Sequence, residues 1–542
     1  MAVNPVQAQS KRCCLFTYFL ASLACLMCFS FMLSSLAHAQ SDASSIKSES
    51  DKTGSDESDF DEGGFDEGGF DEGGFDEGGF GSLDQIELKT SSLPPPPSPL
   101  RIDGFIRSQW ASWILRPWDE SWAKGRQNLD LSAKYKKDGW LLTFDTHVEY
   151  DALYDLSDAD FDPVQVEDYR MRYIPGIQSI SKRLSLGNMS INLSTGRQIV
   201  TWGESDGLSA LDVINPQDQR EPGVADIDDI KLAVWLSRLQ LSQNKHSLEF
   251  IVRHEGHYGI LVPPRADYSP FNAIMNSQSD MIPPALLAQI NSKELRFAHE
   301  SEGVSADTQS YFLRYLYRGE GFDLGLYAAS LLDVQGVIVP PKLTDFLSLD
   351  QKTIELLYQH PRYSLAGMTL ALPMGNWLIK AELVSSMDKP VNVGEDFNQL
   401  DVANIDILTH VFGVTYSGFA DTNLSIEYQG GQLLGSNKDL AFFVPPNLDI
   451  LAMRASHTFG RERFSASAVL SMLVPQWSNP SQLHKPERGG LFRLDVSYRV
   501  LDQLKASLGY IHYLTGEEFG PFYGLEEHDR LFAQLRWDFT VY

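Results

Sequence analysis

The stretch Phe492-Arg493-Leu494-Asp495-Val496-Ser497-Tyr498-Arg499-Val500 sets an apolar side chain before every polar one. Successive side chains of a strand point to opposite faces, so it has one greasy face and one charged face. The same period runs outward along the chain. Trp377, Ile379, Ala381 and Leu383 alternate with Lys380 and Glu382 after a Pro373-Met374-Gly375-Asn376 turn. Hairpins are expected at 312–328 around Arg318-Gly319-Glu320-Gly321 and at 451–470 around Phe459-Gly460-Arg461-Glu462. A last pair turns after Leu514 and ends with 531–541.

A soluble sandwich alternates in the same way, so the ends of the chain matter. Lys11 and Arg12 precede an apolar run from Cys13 to Leu36 and then Ala37-His38-Ala39. That is the layout of a secretory signal cut after Ala39, with an uncleaved inner-membrane anchor as the rival. Cys13, Cys14, Cys25 and Cys28 all lie inside it, so the exported chain has no disulfide framework and no thiolate metal site. It also has no second apolar run of about 18 residues, which leaves a barrel as the way to span a membrane. Strands of about 9 to 11 residues suit a tilted crossing. Short turns alternate with long polar loops, such as 254–306 and 335–352. Trp110, Trp113, Trp118, Trp122, Tyr510, Tyr513 and Trp537 fall where interface girdles are expected, and Leu535, Trp537, Phe539 and Val541 form the apolar face of the final strand. The expected fold is all-β: a transmembrane antiparallel β-barrel of about 14 to 18 strands over 101–542, behind a signal at 1–39 and a disordered acidic tail at 40–100.

The tail carries four FDEGG pentads between Phe60 and Phe80, then Ser91-Ser92-Leu93 and a run of prolines. Two acids and two glycines in five residues bury too little to offset the entropy of ordering. Phe60, Phe65, Phe70, Phe75 and Phe80 are its only features able to dock; a solvated spacer and a calcium loop are the other readings. The formal charge of the whole chain is −28, which excludes nucleic acid as a partner and favours cations or basic surfaces.

One block stands apart. Gly196 to Asp218 reads GRQIVTWGESDGLSALDVINPQD. Gly203-Glu204-Ser205-Asp206-Gly207 matches G-x-S-x-G, but a nucleophile elbow needs a buried parallel strand turning into a helix. Here 193–202 reads as a membrane strand, with Trp202-Gly203 at its interfacial end, and no helical pattern follows. No enzymatic role is expected. Asp212-Val213-Ile214-Asn215-Pro216-Gln217-Asp218 suits an ordered turn, a constriction in the lumen, or a cation site from Asp212, Asn215 and Asp218. His254-Glu255-Gly256-His257 is one residue short of a zinc motif. Ala285 to Ile290 suits a short amphipathic helix at the mouth or on the rim. No cofactor and no metal are expected.

The string GRQxxxWGE followed by DxxNPxD resembles the signature of an uncharacterised family of proteobacterial outer-membrane barrels associated with RND/MMPL-type exporters. Val262-Pro263-Pro264-Arg265-Ala266-Asp267-Tyr268-Ser269-Pro270 is similar to a loop of that family. The resemblance implies a Gram-negative outer-membrane conduit, placed by the barrel-assembly machinery, that cooperates with periplasmic components of an exporter for hydrophobic or lipid-like molecules. The residues of the constriction or of the loop signature are expected to be Arg197, Trp202, Gly203, Glu204, Asp206, Asp212, Asn215, Pro216 and Asp218. A general small-solute porin and a structural or adhesive surface protein are the alternatives.

Overall fold

The computed structural model describes residues 98–541 except 117–120, 158, 160, 225–227, 270, 273–283, 340–351, 395–399, 435–448, 475–488 and 517–521. The signal, the FDEGG repeats with their phenylalanines and most of the proline spacer lie outside the described residues, as does Trp118.

Eighteen strands form one sheet. In chain order they are β1 (Leu100–Trp113), β2 (Trp122–Lys137), β3 (Trp140–Asp151), β4 (Met171–Leu186), β5 (Met189–Gln198), β6 (Val234–Gln243), β7 (His246–Arg253), β8 (Ser310–Arg318) and β9 (Asp323–Leu332). The second half comprises β10 (Arg362–Met374), β11 (Trp377–Val393), β12 (Asp401–Phe419), β13 (Thr422–Leu434), β14 (Ile450–Phe459), β15 (Phe464–Leu473), β16 (Gly490–Leu501), β17 (Leu504–Leu514) and β18 (Arg530–Val541). Each pairs with the next, and β1 also pairs with β18, so the sheet closes. At the junction Thr540 Oγ1 donates to Asp103 Oδ1 at 2.7 Å.

The strand count meets the upper end of the expectation, and the anticipated hairpins fall where the alternation puts them. On β11, Lys380, Glu382 and Val384 are buried while Trp377 and Leu383 are exposed. On β16, Arg493 and Ser497 are buried while Leu494 and Val496 are exposed. Leu193, Phe250, Leu313, Leu326, Met368, Phe412, Ile426, Met453, Leu508 and Leu531 continue the exposed apolar set around the outside. An apolar belt of that extent suits lipid and would be a liability in water. Closure leaves no unpaired strand edge, which is what a sheet needs in a bilayer. No helix among the described residues is long and apolar enough to cross a membrane.

Turns of two to four residues join the strands at one end, while every connection at the other end is longer. The helix Pro284–Asn291 belongs to one of the long connections. Its Ile290 packs on Leu295 and Ile354, from a small accessory sheet of Glu294–His299, Val337–Val339 and Thr353–Gln359.

Three details depart from the sequence reading. Strand lengths run from 8 to 19 residues, a wider spread than a bilayer crossing alone requires. The fifth strand ends at Gln198, so Trp202 lies outside any strand, and it is fully buried instead of sitting at an interface. Trp113 and Tyr513 join an interior cluster with Tyr268, Leu491, Ile511 and Leu525, so they are not girdle residues. Trp110 and Trp537 are also buried; Trp122 is exposed.

Candidate functional site

The connection between β5 and β6, residues 199–233, folds back among the strands. Asn215 ties its neck: Oδ1 accepts from Val200 N–H at 2.8 Å, and Nδ2 donates to the carbonyls of Gln198 at 3.0 Å and Leu232 at 2.8 Å. An amide carries donors and an acceptor on one side chain, which a carboxylate in the same place lacks. The Pro216 carbonyl accepts from Leu232 N–H, and Asp212 pairs with Lys231 at 2.7 Å. Gly196 has φ +121°, and an added Cβ would lie 2.2 Å from the Gln178 carbonyl, so glycine is required.

Beyond the neck the loop has two limbs. The deep limb, 203–210, lies against β11 and β13. Glu382 accepts from the N–H groups of Glu204 (2.8 Å), Ser205 (3.1 Å) and Ala210 (3.1 Å), and from the Ser209 hydroxyl. Glu427 accepts from the N–H groups of Asp206 (2.6 Å), Gly207 (2.8 Å) and Leu208 (3.0 Å). Burying a carboxylate costs several kcal/mol unless donors replace water, and the bent loop backbone supplies them. Lys380 pairs with Asp206 at 2.5 Å, and Thr415 Oγ1 donates to the same carboxylate at 3.2 Å. Lys380 is the fourth residue of the 17-residue β11, counted from the short-turn end, so this limb reaches far down the barrel. Gly203 has φ +99°, and a Cβ there would meet Ser209 Oγ at 2.1 Å and Glu382 Oε1 at 2.6 Å. Above it Trp202 packs edge-on against Phe312 and Tyr327, with ring centroids 5.5 and 5.2 Å away, and its indole N–H donates to Glu249 at 3.1 Å.

The mouth limb, 216–224, crosses to the strands nearest the two ends of the chain. Arg220 is clamped between Asp218 and Glu149. Glu221 meets Lys124, Arg126 (2.7 Å) and Arg530 (3.0 Å). Burial opposes its charge, yet the three cations outweigh that and hold the carboxyl well below the usual range. Tyr513 donates to the Pro222 carbonyl at 2.7 Å, and Arg493 to the Val224 carbonyl at 3.1 Å.

The structure thus gathers Trp202, Gly203, Glu204, Asp206, Asp212, Asn215, Pro216 and Asp218 into one loop inside the barrel. Arg197 lies on β5 itself and reaches only the end of the loop, where it donates to the Ala233 carbonyl at 3.0 Å. It shares a strand face with the exposed Leu193 and pairs with Glu255 at 2.5 Å near the strand end. Ser205 lies in coil with no helix after it, and its N–H serves Glu382, so no elbow forms. Asp212, Asn215 and Asp218 go to Lys231, backbone groups and Arg220, so they do not converge as a cation site. His254 bonds the Ser237 hydroxyl while Glu255 holds Arg197, so that quartet does not assemble as a metal site either. Of the charged residues on the polar faces of the alternating strands, Lys380, Glu382 and Arg493 touch the loop, whereas Arg499 is exposed near a turn. Sequence reasoning missed Glu427, Glu149, Lys124, Arg126 and Arg530; its one available signal was a charge on the inward period of a strand.

A family model described as a protein of unknown function (DUF1302) matches residues 180–435. That range contains the loop and both carboxylates of its deep anchor, and it is consistent with the uncharacterised barrel family suggested by the Gly196–Asp218 block. No curated protein matches the chain. Among solved structures, OccAB3 of Acinetobacter baumannii is 11% identical, covering 82% of this chain and 99% of its own, with a TM-score of 0.40. The outer-membrane protein opdK of Pseudomonas aeruginosa is 10% identical over 82% and 99%, with a TM-score of 0.41. OccK11 (OpdR) of the same organism is 10% identical over 82% and 96%, with a TM-score of 0.42. The closed pairing described above is what establishes the barrel.

Proposed function

We propose that the protein is an outer-membrane channel whose passage is set by the loop 199–233, serving as the outer-membrane step of an envelope export system. The observation that carries this reading is the double anchoring of one inward loop, deep on β11 and β13 and at the mouth on β2, β3 and β16 to β18. The short-turn end, where β1 begins, faces the periplasm, as in outer-membrane barrels generally. The exporter partnership rests on the resemblance of the Gly196–Asp218 block. The same resemblance implies hydrophobic or lipid-like cargo. The pairing of β14 to β17, however, puts Ser456, Ser465, Ser467, Ser497 and Ser507 on the same face as Arg493, a polar lining that favours polar solutes. No bond-making chemistry is assigned to the barrel.

The test is single-channel conductance of the refolded chain in a planar bilayer, with and without residues 40–100. Asp212→Ala with Asp218→Ala, which removes one carboxylate partner each from Lys231 and Arg220, is expected to raise conductance severalfold in a protein that still folds. Unchanged conductance in a folded variant removes the loop as the determinant. Steady wide openings of the unaltered protein, independent of the tail, favour a general porin over a partner-gated conduit.

A further inference from the structure

The hold on Glu221 is lopsided. Lys124 and Arg530 are more than nine-tenths buried, and Arg126 is nearly so, yet all three converge on the two oxygens of one carboxylate. Arg126 has distant help from Glu149 at 3.6 Å and Asp151 at 3.8 Å. Among the described residues Lys124 has Gln109 as its further hydrogen-bond partner, at 3.4 Å, and Arg530 faces the rings of Trp113 and Tyr268. The Nε atoms of Arg126 and Arg530 are buried without a hydrogen-bond partner. Arg220, clamped by two carboxylates, balances the charge of the network as a whole, but at Glu221 itself three wall cations share one carboxylate, more than fixing a loop requires. Here the cations belong to the barrel wall and the carboxylate to a connection between β5 and β6, several strands away round the sheet.

We propose that Lys124, Arg126 and Arg530 form a binding site for the carboxylate group of a solute passing through the barrel, and that Glu221 is its tethered occupant, displaced when the solute arrives. This rests on the channel reading and adds a solute class to it: small organic carboxylates. Oε2 of Glu221 marks the place of the oxygen shared by Lys124 and Arg530, and Oε1 that of the oxygen held by Arg126. A displaced Glu221 frees the mouth limb at one of its anchors, so arrival of the solute loosens the loop.

A tethered group competes at an effective concentration in the millimolar range, so removing its charge exposes the site. The measurement is calorimetric titration of the detergent-solubilised full mature chain with sodium benzoate, using benzamide as the neutral shape control. Glu221→Gln is expected to bind benzoate at least about tenfold more tightly than the unaltered protein, with no gain for benzamide. Adding Arg530→Gln to that variant should abolish the gain. Heat-modifiable gel mobility checks folding, and Glu221→Asp, with its shorter reach, should give a smaller gain if Glu221→Gln does not fold. Equal benzoate affinity in folded variant and parent overturns the site, as does an equal gain for benzamide or a gain that survives Arg530→Gln. Because binding is read without flux, a barrel that binds but never conducts sinks the channel reading alone, and one that conducts without the gain sinks the site alone.

Discussion

The two limbs of the loop are held by opposite chemistries. On the deep limb the loop contributes mainly backbone N–H groups and the wall contributes the charges, Glu382 and Glu427. On the mouth limb the loop contributes side chains, Arg220 and Glu221, and the wall answers with Glu149, Lys124, Arg126 and Arg530. Any residue carries an N–H except proline, so away from Gly203 and Asp206 the deep limb tolerates changes on the loop better than on the wall. The mouth limb is sensitive on both sides.

The largest expected effect follows from removing the deep anchor. Glu382→Ala together with Glu427→Ala leaves six backbone donors without their acceptors, at about 1–3 kcal/mol for each that water does not reach. Conductance should rise severalfold while the folded barrel persists on gels; an unchanged trace would mean that the deep limb does not restrict the passage. A smaller effect separates the limbs by pH. Burial, and then the neighbouring Arg116 charge, lower His528 to about 4, and its Nε2 lies 3.2 Å from Arg116 Nη2, so the closed mouth holds it neutral. Below its ordinary value near 6.5 the opened mouth takes up a proton that the closed one refuses. Acidification from pH 7.5 to 5 should therefore weaken the mouth by on the order of 1–2 kcal/mol. Glu221 stays ionised through that window, because its depressed carboxyl protonates only at lower pH. Hydrogen exchange of the Trp113–Tyr268–His528 region against that of 203–210 reads the difference, and equal loosening of both would refute it. The smallest effect is the most pointed: Glu204→Ala should change stability by less than about 0.5 kcal/mol, since the deep anchor uses only its N–H. A large loss, measured by the midpoint of heat modification, would give that side chain a role the contacts do not.

Much of the barrel is legible in the chain because its period of two is repeated strand after strand; FRLDVSYRV already separates Arg493 and Ser497 from Leu494 and Val496. The loop is legible only in part. Gly196, Gly203 and Asn215 stand out as a block, and each proves to hold a position no other residue fits as well. Their partners are not legible, because an inward glutamate such as Glu427 looks like every other charge on the polar face, and only the closed register brings it to Gly207. Trp202 was misplaced for a related reason. An aromatic a few residues past a strand resembles a girdle residue, and nothing local reveals that Glu249 waits inside to take its N–H. Trp113 and Tyr513 mislead in the same way.

Glu221 has a consequence for assembly. Two of its cations come from β2 and the third from β18, which flank β1 where the beginning and end of the sheet meet. Those strands are separated by most of the chain and come to lie on either side of β1 only when the cylinder shuts. The mouth limb therefore has no complete seat during synthesis and insertion, and gains one at the moment of closure. A segment from the middle of the sequence thus acts as a clasp across the seam, and a barrel that failed to close would reveal itself by an unseated loop.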